Sequence, residues 1–174
     1  MEHSIPFAGQ RVADNKTIRI DIRRGHFYQW LGREVPPKEY DYVQGRLVGI
    51  ALRKRATPNG ETTFVDLKFA CGDTRFEVSA LASSSISAEL ISKVVNIQDP
   101  ASVIRIDVWP KANYTNCTVR ENGQKLPFRI LPKVERRQNG FKTDVDSSER
   151  DAAVMRLIVE LNGRLGATGA SNKA

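Results

Sequence analysis

Between Tyr42 and Leu131 apolar side chains recur at every second position, and that rhythm is interrupted once, by a single helical stretch. A two-residue period belongs to a strand with one buried face, so this stretch restricts the chain to a mainly β fold. The first strand spans residues 43–55 and carries Gly45 and Gly49, where a glycine marks a bend or a close backbone approach. Thr57-Pro58-Asn59-Gly60 then reads as a hairpin turn, because Asn-Gly tolerates the positive φ angles that such turns require. Residues 62–70 form the second strand, with Val65, Leu67 and Phe69 inward, and residues 74–80 the third, with Phe76 and Val78 inward. Ser83, Ser84 and Ser85 offer capping hydroxyls to a helix whose Ile86, Leu90, Ile91, Val94 and Val95 share one face. Alternation resumes at residues 102–109, through Ile104, Ile106 and Val108, and again at residues 114–120. Asn122-Gly123 signals a second tight hairpin, after which residues 125–131 read as a last strand that Pro127 confines to an edge.

The flanks carry weaker patterns. Residues 1–41 read as an N-terminal arm and extension: the first fifteen lack periodicity, residues 17–22 alternate as a strand, and a basic, aromatic run from Arg23 to Trp30 precedes the Pro36-Pro37 breaker. Residues 42–134 make up the β unit, and residues 135–147 read as a polar linker. Residues 148–174 read as a helix, from about 149 to 162, followed by a small, polar, flexible tail. Ser148 and Asp151 fit a capping box, Gly163 fits a C-cap, and Ala152, Met155, Ile158, Val159 and Leu165 form the expected packing face.

A chain of 174 residues suffices for one domain with a substantial core. The formal charge of +7 and pI of about 9.6 favour phosphate backbones or anionic surfaces as partners. No apolar run approaches the length of a bilayer, and no secretory signal is visible, so a cytoplasmic address without membrane association is expected. Cys71 and Cys117 stand far apart, and in a reducing compartment they read as small buried hydrophobes.

The order of three strands, one helix and two strands resembles an OB-fold, a five-stranded Greek-key barrel with a helix between its third and fourth strands. The segments Gly45-Arg46-Leu47-Val48-Gly49, Phe64-Val65-Asp66-Leu67 and Trp109-Pro110-Lys111 carry a further likeness to OB-fold single-stranded DNA-binding proteins of the replication and bacteriophage kind. The resemblance covers about residues 42–131 and implies a ligand face on strands two and three, flanked by the loops joining strands one to two and four to five. The last residues, Gly-Ala-Ser-Asn-Lys-Ala, depart from the acidic tail through which the bacterial proteins recruit partners.

Residue chemistry at those places suits a nucleic acid, which needs cations for phosphates and exposed rings for bases. Arg53, Lys54 and Arg55 give the first hairpin a cationic tip. Trp109, Lys111 and Tyr114 place an indole, an ammonium and a phenol in one short connection. Strand alternation turns Phe64, Lys68, Arg75 and Arg105 outward beside them. Bland readings compete: a basic run solvates a loop, and Trp109 and Tyr114 could cap the barrel end instead.

Catalysis finds little support. His3 sits in the arm, and His26 has no partner constellation. No Cys/His cluster has zinc spacing and no phosphate-binding P-loop is present, so neither a metal nor a cofactor is expected. Asp66, Asp73, Glu77 and Asp107 could hold magnesium, but three of them alternate with apolar residues as an ion-paired β face does. The expected function is sequence-tolerant binding of single-stranded DNA, in replication, recombination or repair, with RNA left open. The alternative is a structural or assembly protein that uses the barrel and C-terminal helix for protein contacts. A homo-oligomer and replication or recombination proteins are the further partners considered.

Overall fold

The computed structural model describes residues 17–170. Three strands precede the expected unit: β1 (Ile18–Arg23), β2 (His26–Gln29) and β3 (Lys38–Tyr40). The unit itself follows as β4 (Tyr42–Thr57), β5 (Gly60–Cys71), β6 (Thr74–Leu81), helix α1 (Ser85–Val94), β7 (Val103–Lys111), β8 (Tyr114–Glu121) and a short β9 (Gln124–Lys125). β10 (Glu135–Asn139), β11 (Lys142–Asp146) and helix α2 (Ser148–Ala170) complete the chain.

Nine strands form one mixed sheet in the order β3-β2-β1-β6-β5-β4-β7-β8-β9. β4, β5 and β6 follow one another as hairpins, and β7 returns through α1 to lie beside β4. That placement of the fourth strand next to the first is a Greek key. The five-stranded closed barrel expected from the sequence is not formed: the ladder is wider, and no strand pairing closes it among the described residues. The reason lies in the N-terminal extension. β1 occupies the free edge of β6 as its parallel neighbour, from Ile18 beside Phe76 to Asp21 beside Ser79.

The inward positions of the long strands build the core. Leu47, Val65, Leu67, Phe69, Phe76, Val78, Ile104, Ile106 and Val119 are buried there, joined by Ile20 and Phe27 from the extension. Phe69 and Phe76 stack face to face, 4.9 Å between centroids. Gly45 lies against this pair, where a Cβ would come within 3.2–3.3 Å of the Phe76 ring and 3.0 Å of the Ala70 carbonyl oxygen. Close approach is therefore what its glycine serves. Next to Gly49, Val48 forms a bulge that shifts the register with β5. Helix α1 seats Ile86, Leu90, Ile91 and Val94 on the core, and Ser84 caps it by accepting from the Ser87 N–H.

Helix α2 covers another part of the core. Leu157, Ile158, Leu161 and Leu165 are buried, whereas Ala152, Met155 and Val159 of the expected face are exposed. Its N-terminal bond runs from the Asp151 N–H to the Ser147 carbonyl, one residue before the expected cap, and the Ser147 hydroxyl bonds Asp151. Gly163 does not end the helix, which continues to Ala170. Arg164, one residue on, donates to the Val95 and Ile97 carbonyls beyond α1 and holds this turn in place.

Two further expectations change. The last strand shrinks to Gln124–Lys125, because after Leu126, whose N–H still donates to the Val119 carbonyl, the chain turns toward α1, where the Arg129 N–H donates to the Ser92 carbonyl. Residues read as a linker pair instead, Glu135 with Asp146 through Asn139 with Lys142, as an antiparallel hairpin. The N-terminal arm with His3 and the last four residues of the tail lie outside the described residues. No described helix is long and apolar enough to cross a membrane.

Candidate nucleic-acid interface

Alternation along β4, β5, β6 and β1 sends one set of side chains out of the sheet. Asp66 is the hub of that face: its Oδ2 accepts from Arg53 Nε at 2.6 Å and its Oδ1 from Arg55 Nη2 at 3.0 Å, while the Ser79 hydroxyl also donates to it. The Asp66 side chain is wholly buried beneath these groups. Arg53 reaches on to Glu77, and Arg55 approaches Asp21 on β1 at 3.5 Å. Partial burial draws the Arg53 pKa down, but the bonds and charges of Glu77 and Asp66 outweigh it and hold it above its usual value. Arg55 also lies over the Phe64 ring, 4.4 Å from the centroid, an arrangement that favours a cation electrostatically.

A second group of outward residues follows β4, β7 and β8. Arg105 stacks over Tyr42 at 3.6 Å and forks onto Asp107, with bonds of 3.0 and 2.7 Å. Arg120, from β8, holds the other oxygen of Asp107. Beyond them Trp109 pairs in register with Asn116, and Lys111 with Tyr114, around a tight turn in which Ala112 has a φ of 51°. Trp109 is 38% exposed and Tyr114 48% exposed, so neither ring caps the core.

These two groups meet because the sheet curls. Gly25, in the β1–β2 turn at φ 82°, lies so close to the Trp109–Pro110 peptide that any Cβ would overlap it. Its N–H donates to the Thr115 hydroxyl at 2.9 Å. The turn thus docks on the β7–β8 hairpin without strand pairing. A cleft of about 650 Å³ opens at this junction, lined by Arg24, Leu81, Pro110 and Tyr114 and by the start of α1. Leu81 is also the cross-strand neighbour of Phe64, which in turn faces Arg53. The Arg53–Phe64–Leu81 row therefore leads to the ring-bearing hairpin.

The expected residues divide accordingly. Arg53, Lys54 and Arg55 do not form a hairpin tip; they lie within β4, and the turn is built by Thr57 to Gly60. Arg53 and Arg55 are consumed by carboxylates of neighbouring strands, and Lys54 points the other way, toward Glu61 at 2.8 Å. Phe64 is half-buried under Arg55. Lys68, Arg75 and Lys111 form no ion pair among the described residues, and all three are exposed. Arg19, Asp21, Tyr42 and Arg120 belong to the same face and were not singled out from sequence. Each stands at an outward position of an alternating segment, which is the signal that could have found them.

Across the first group, the cations Arg19, Arg53, Arg55, Lys68 and Arg75 outnumber the carboxylates Asp21, Asp66 and Glu77. The face keeps a positive excess. Among the described residues, no cluster of three or more His, Cys, Asp or Glu side chains is arranged to hold a metal. Cys117 is buried beside Lys93, and burial, with the nearby Glu89 charge, pushes its thiol up to about 12. Comparison with protein-family models, with characterised proteins and with solved structures gave no match to this chain.

Proposed function

We propose that this chain binds single-stranded nucleic acid along the outward face of its sheet, as a sequence-tolerant binder and not as an enzyme. One observation carries the reading: Trp109, Lys111 and Tyr114 share the exposed side of one hairpin, with the Arg105–Tyr42 stack next to them. Bases stack on exposed rings whatever their sequence, at about 1–3 kcal/mol each, and cations follow the phosphates. Lys68, Arg75 and Lys111 have charge to spare for phosphates, whereas Arg53 and Arg55 stiffen the face by their hold on Asp66. Arg53, Arg55 and Phe64 then frame the path more than they contact the ligand, and Lys54, on the other side of β4, stands off it.

In the same reading the five-stranded Greek-key unit from β4 to β8 is an open, OB-fold-like arrangement, with the β1–β2 turn standing in the gap that pairing of β8 with β6 would close. Support comes from the helix between its third and fourth strands and from the placement of β7 beside β4. The ligand is single-stranded DNA of replication, recombination or repair. Stacking platforms do not themselves distinguish the sugar, so RNA is the competitor to include. The carboxylates Asp66, Glu77 and Asp107 are each engaged by a guanidinium, which fits binding better than hydrolysis.

A competition among a single-stranded DNA, the same sequence as duplex, and its RNA copy tests the proposal. Single-stranded DNA should displace a labelled single strand at the lowest concentration. Preference for duplex would remove the stacking mechanism.

A further inference from the structure

The N-terminal extension carries a second set of rings. On β2, Phe27 is buried in the core, so its neighbours His26 and Tyr28 face outward, edge to face with centroids 6.0 Å apart. Trp30, two residues on, is 52% exposed. Tyr28 lies opposite Asp21 and His26 opposite Arg23 of β1, so these rings share the side of the sheet on which Arg55 approaches Asp21. Arg23 extends over the Trp30 ring, 5.5 Å from its centroid, and forms no ion pair among the described residues. Arg19, on the same side of β1, is exposed and meets Glu77 only at 3.8 Å, a carboxylate already held by Arg53. Beside Trp30 opens a groove of about 560 Å³ walled by Val35, Pro36 and Pro37, in which the charges of Arg33 and Glu34 offset each other.

We infer that β2 is a second stacking platform for the same single strand, with bases on Tyr28 and Trp30 and phosphates held by Arg19 and Arg23. This platform rests on the nucleic-acid reading and deepens it, since it makes the ligand an extended strand and not a single nucleotide. Continuity is one support. The turn that opens β2 packs through Gly25 on the Trp109–Pro110 peptide, so the row of rings starts where the β7–β8 hairpin lies. From Gly25 to Trp30 the extended chain covers about 17 Å, which a strand with about 3.4 Å between phosphates crosses in about five nucleotides. Charge is the other support. On this side Asp21 is engaged by Arg55 and Glu77 by Arg53, which leaves Glu39, opposite Tyr28, as the carboxylate set against Arg19 and Arg23. That excess suits an anionic chain, whereas an uncharged peptide on the rings would leave both guanidiniums without a counter-charge.

The chain has two tryptophans, Trp30 and Trp109, so the two platforms can be read separately. Trp109→Phe leaves Trp30 as the sole indole and Trp30→Phe leaves Trp109, and each variant keeps a ring for stacking. An end-labelled oligothymidylate of about 16 nucleotides, at the upper site size of one such unit, reports binding by anisotropy while indole fluorescence reports base contact. Trp30 should be quenched as the oligonucleotide binds. Trp30→Ala should weaken binding about tenfold, as loss of one stacked base does, with native far-ultraviolet circular dichroism because the ring lies outside the core. Quenching of Trp109 without quenching of Trp30 overturns this inference and leaves the β7–β8 hairpin as the binding site, as does a Trp30→Ala chain of native affinity. No binding by the native chain removes both platforms.

Discussion

Asn162 bonds both backbone groups of Ile50, its amide nitrogen donating to the carbonyl and its oxygen accepting from the N–H, each at 2.9 Å. β7 pairs with β4 only as far as Arg46, so beyond that residue the edge of β4 has no strand partner there. The side chain of α2 stands in for one. Asn162→Ala leaves two partly buried polar groups unmatched, and the expected loss is about 2–4 kcal/mol, measured by urea unfolding. Asn162→Asp should lose less than the alanine variant, because it keeps an acceptor for the Ile50 N–H. Glu160 supplies a pH-dependent case. Its hydrogen bond from Arg129 lowers its pKa, against a slight rise from burial. The folded value thus lies below the unfolded one. The pair's contribution is full above the ordinary glutamate range and disappears as pH falls through the folded value. Both side chains are about two-fifths exposed, so solvent screening keeps the effect below about 1 kcal/mol. Unfolding measured across acid pH should show Glu160→Gln flattening this dependence by that amount.

At the scale of elements, the β1–β2 turn decides whether the ring-bearing hairpin is held in place. Gly25 combines a positive φ with a contact that excludes any side chain. Gly25→Ala should therefore cost at least about 2 kcal/mol and undock the turn from Thr115. Thermal unfolding gives the first quantity. Weakened oligonucleotide binding with Trp109 unchanged would show that the docking positions the ring. The strands of the central unit were legible because each has one buried face, and Asn-Gly turns mark their ends. β10 and β11 were not: a hairpin exposed on both faces, reading Glu-Arg-Arg-Gln-Asn on one side, writes no apolar alternation. Nor was the length of α2 legible. An exposed Gly163 costs a helix only about 1 kcal/mol, which the tertiary bonds of Asn162 and Arg164 offset.

Taken as a whole, the molecule is a curled mixed sheet whose two helices cover the core and whose outward side carries the charge. Of the candidate site, the outward positions are legible in the sequence and the pairing of their charges is not. Alternation predicts which side chains point outward, as for Phe64, Lys68, Arg75 and Arg105, whereas Trp109, Lys111 and Tyr114 stand out by their chemistry in one short connection. Which cations remain unpaired depends on strands distant in sequence. Arg53 and Arg55 meet Glu77 and Asp21 only because β6 lies beside β5 and β1 lies parallel to β6, and local pattern does not encode that pairing. The same parallel strand replaced the expected barrel closure.

Binding of a labelled single strand, followed by fluorescence anisotropy at two salt concentrations for the native chain and Trp109→Ala, tests the central claim most directly. The native chain should bind at low salt and weaken steeply as salt rises, since phosphate contacts release counterions. Loss of the indole should weaken binding about ten- to hundredfold at either salt, with the salt slope preserved. No binding by the native chain at low salt, or equal affinity in the two proteins, would contradict the account.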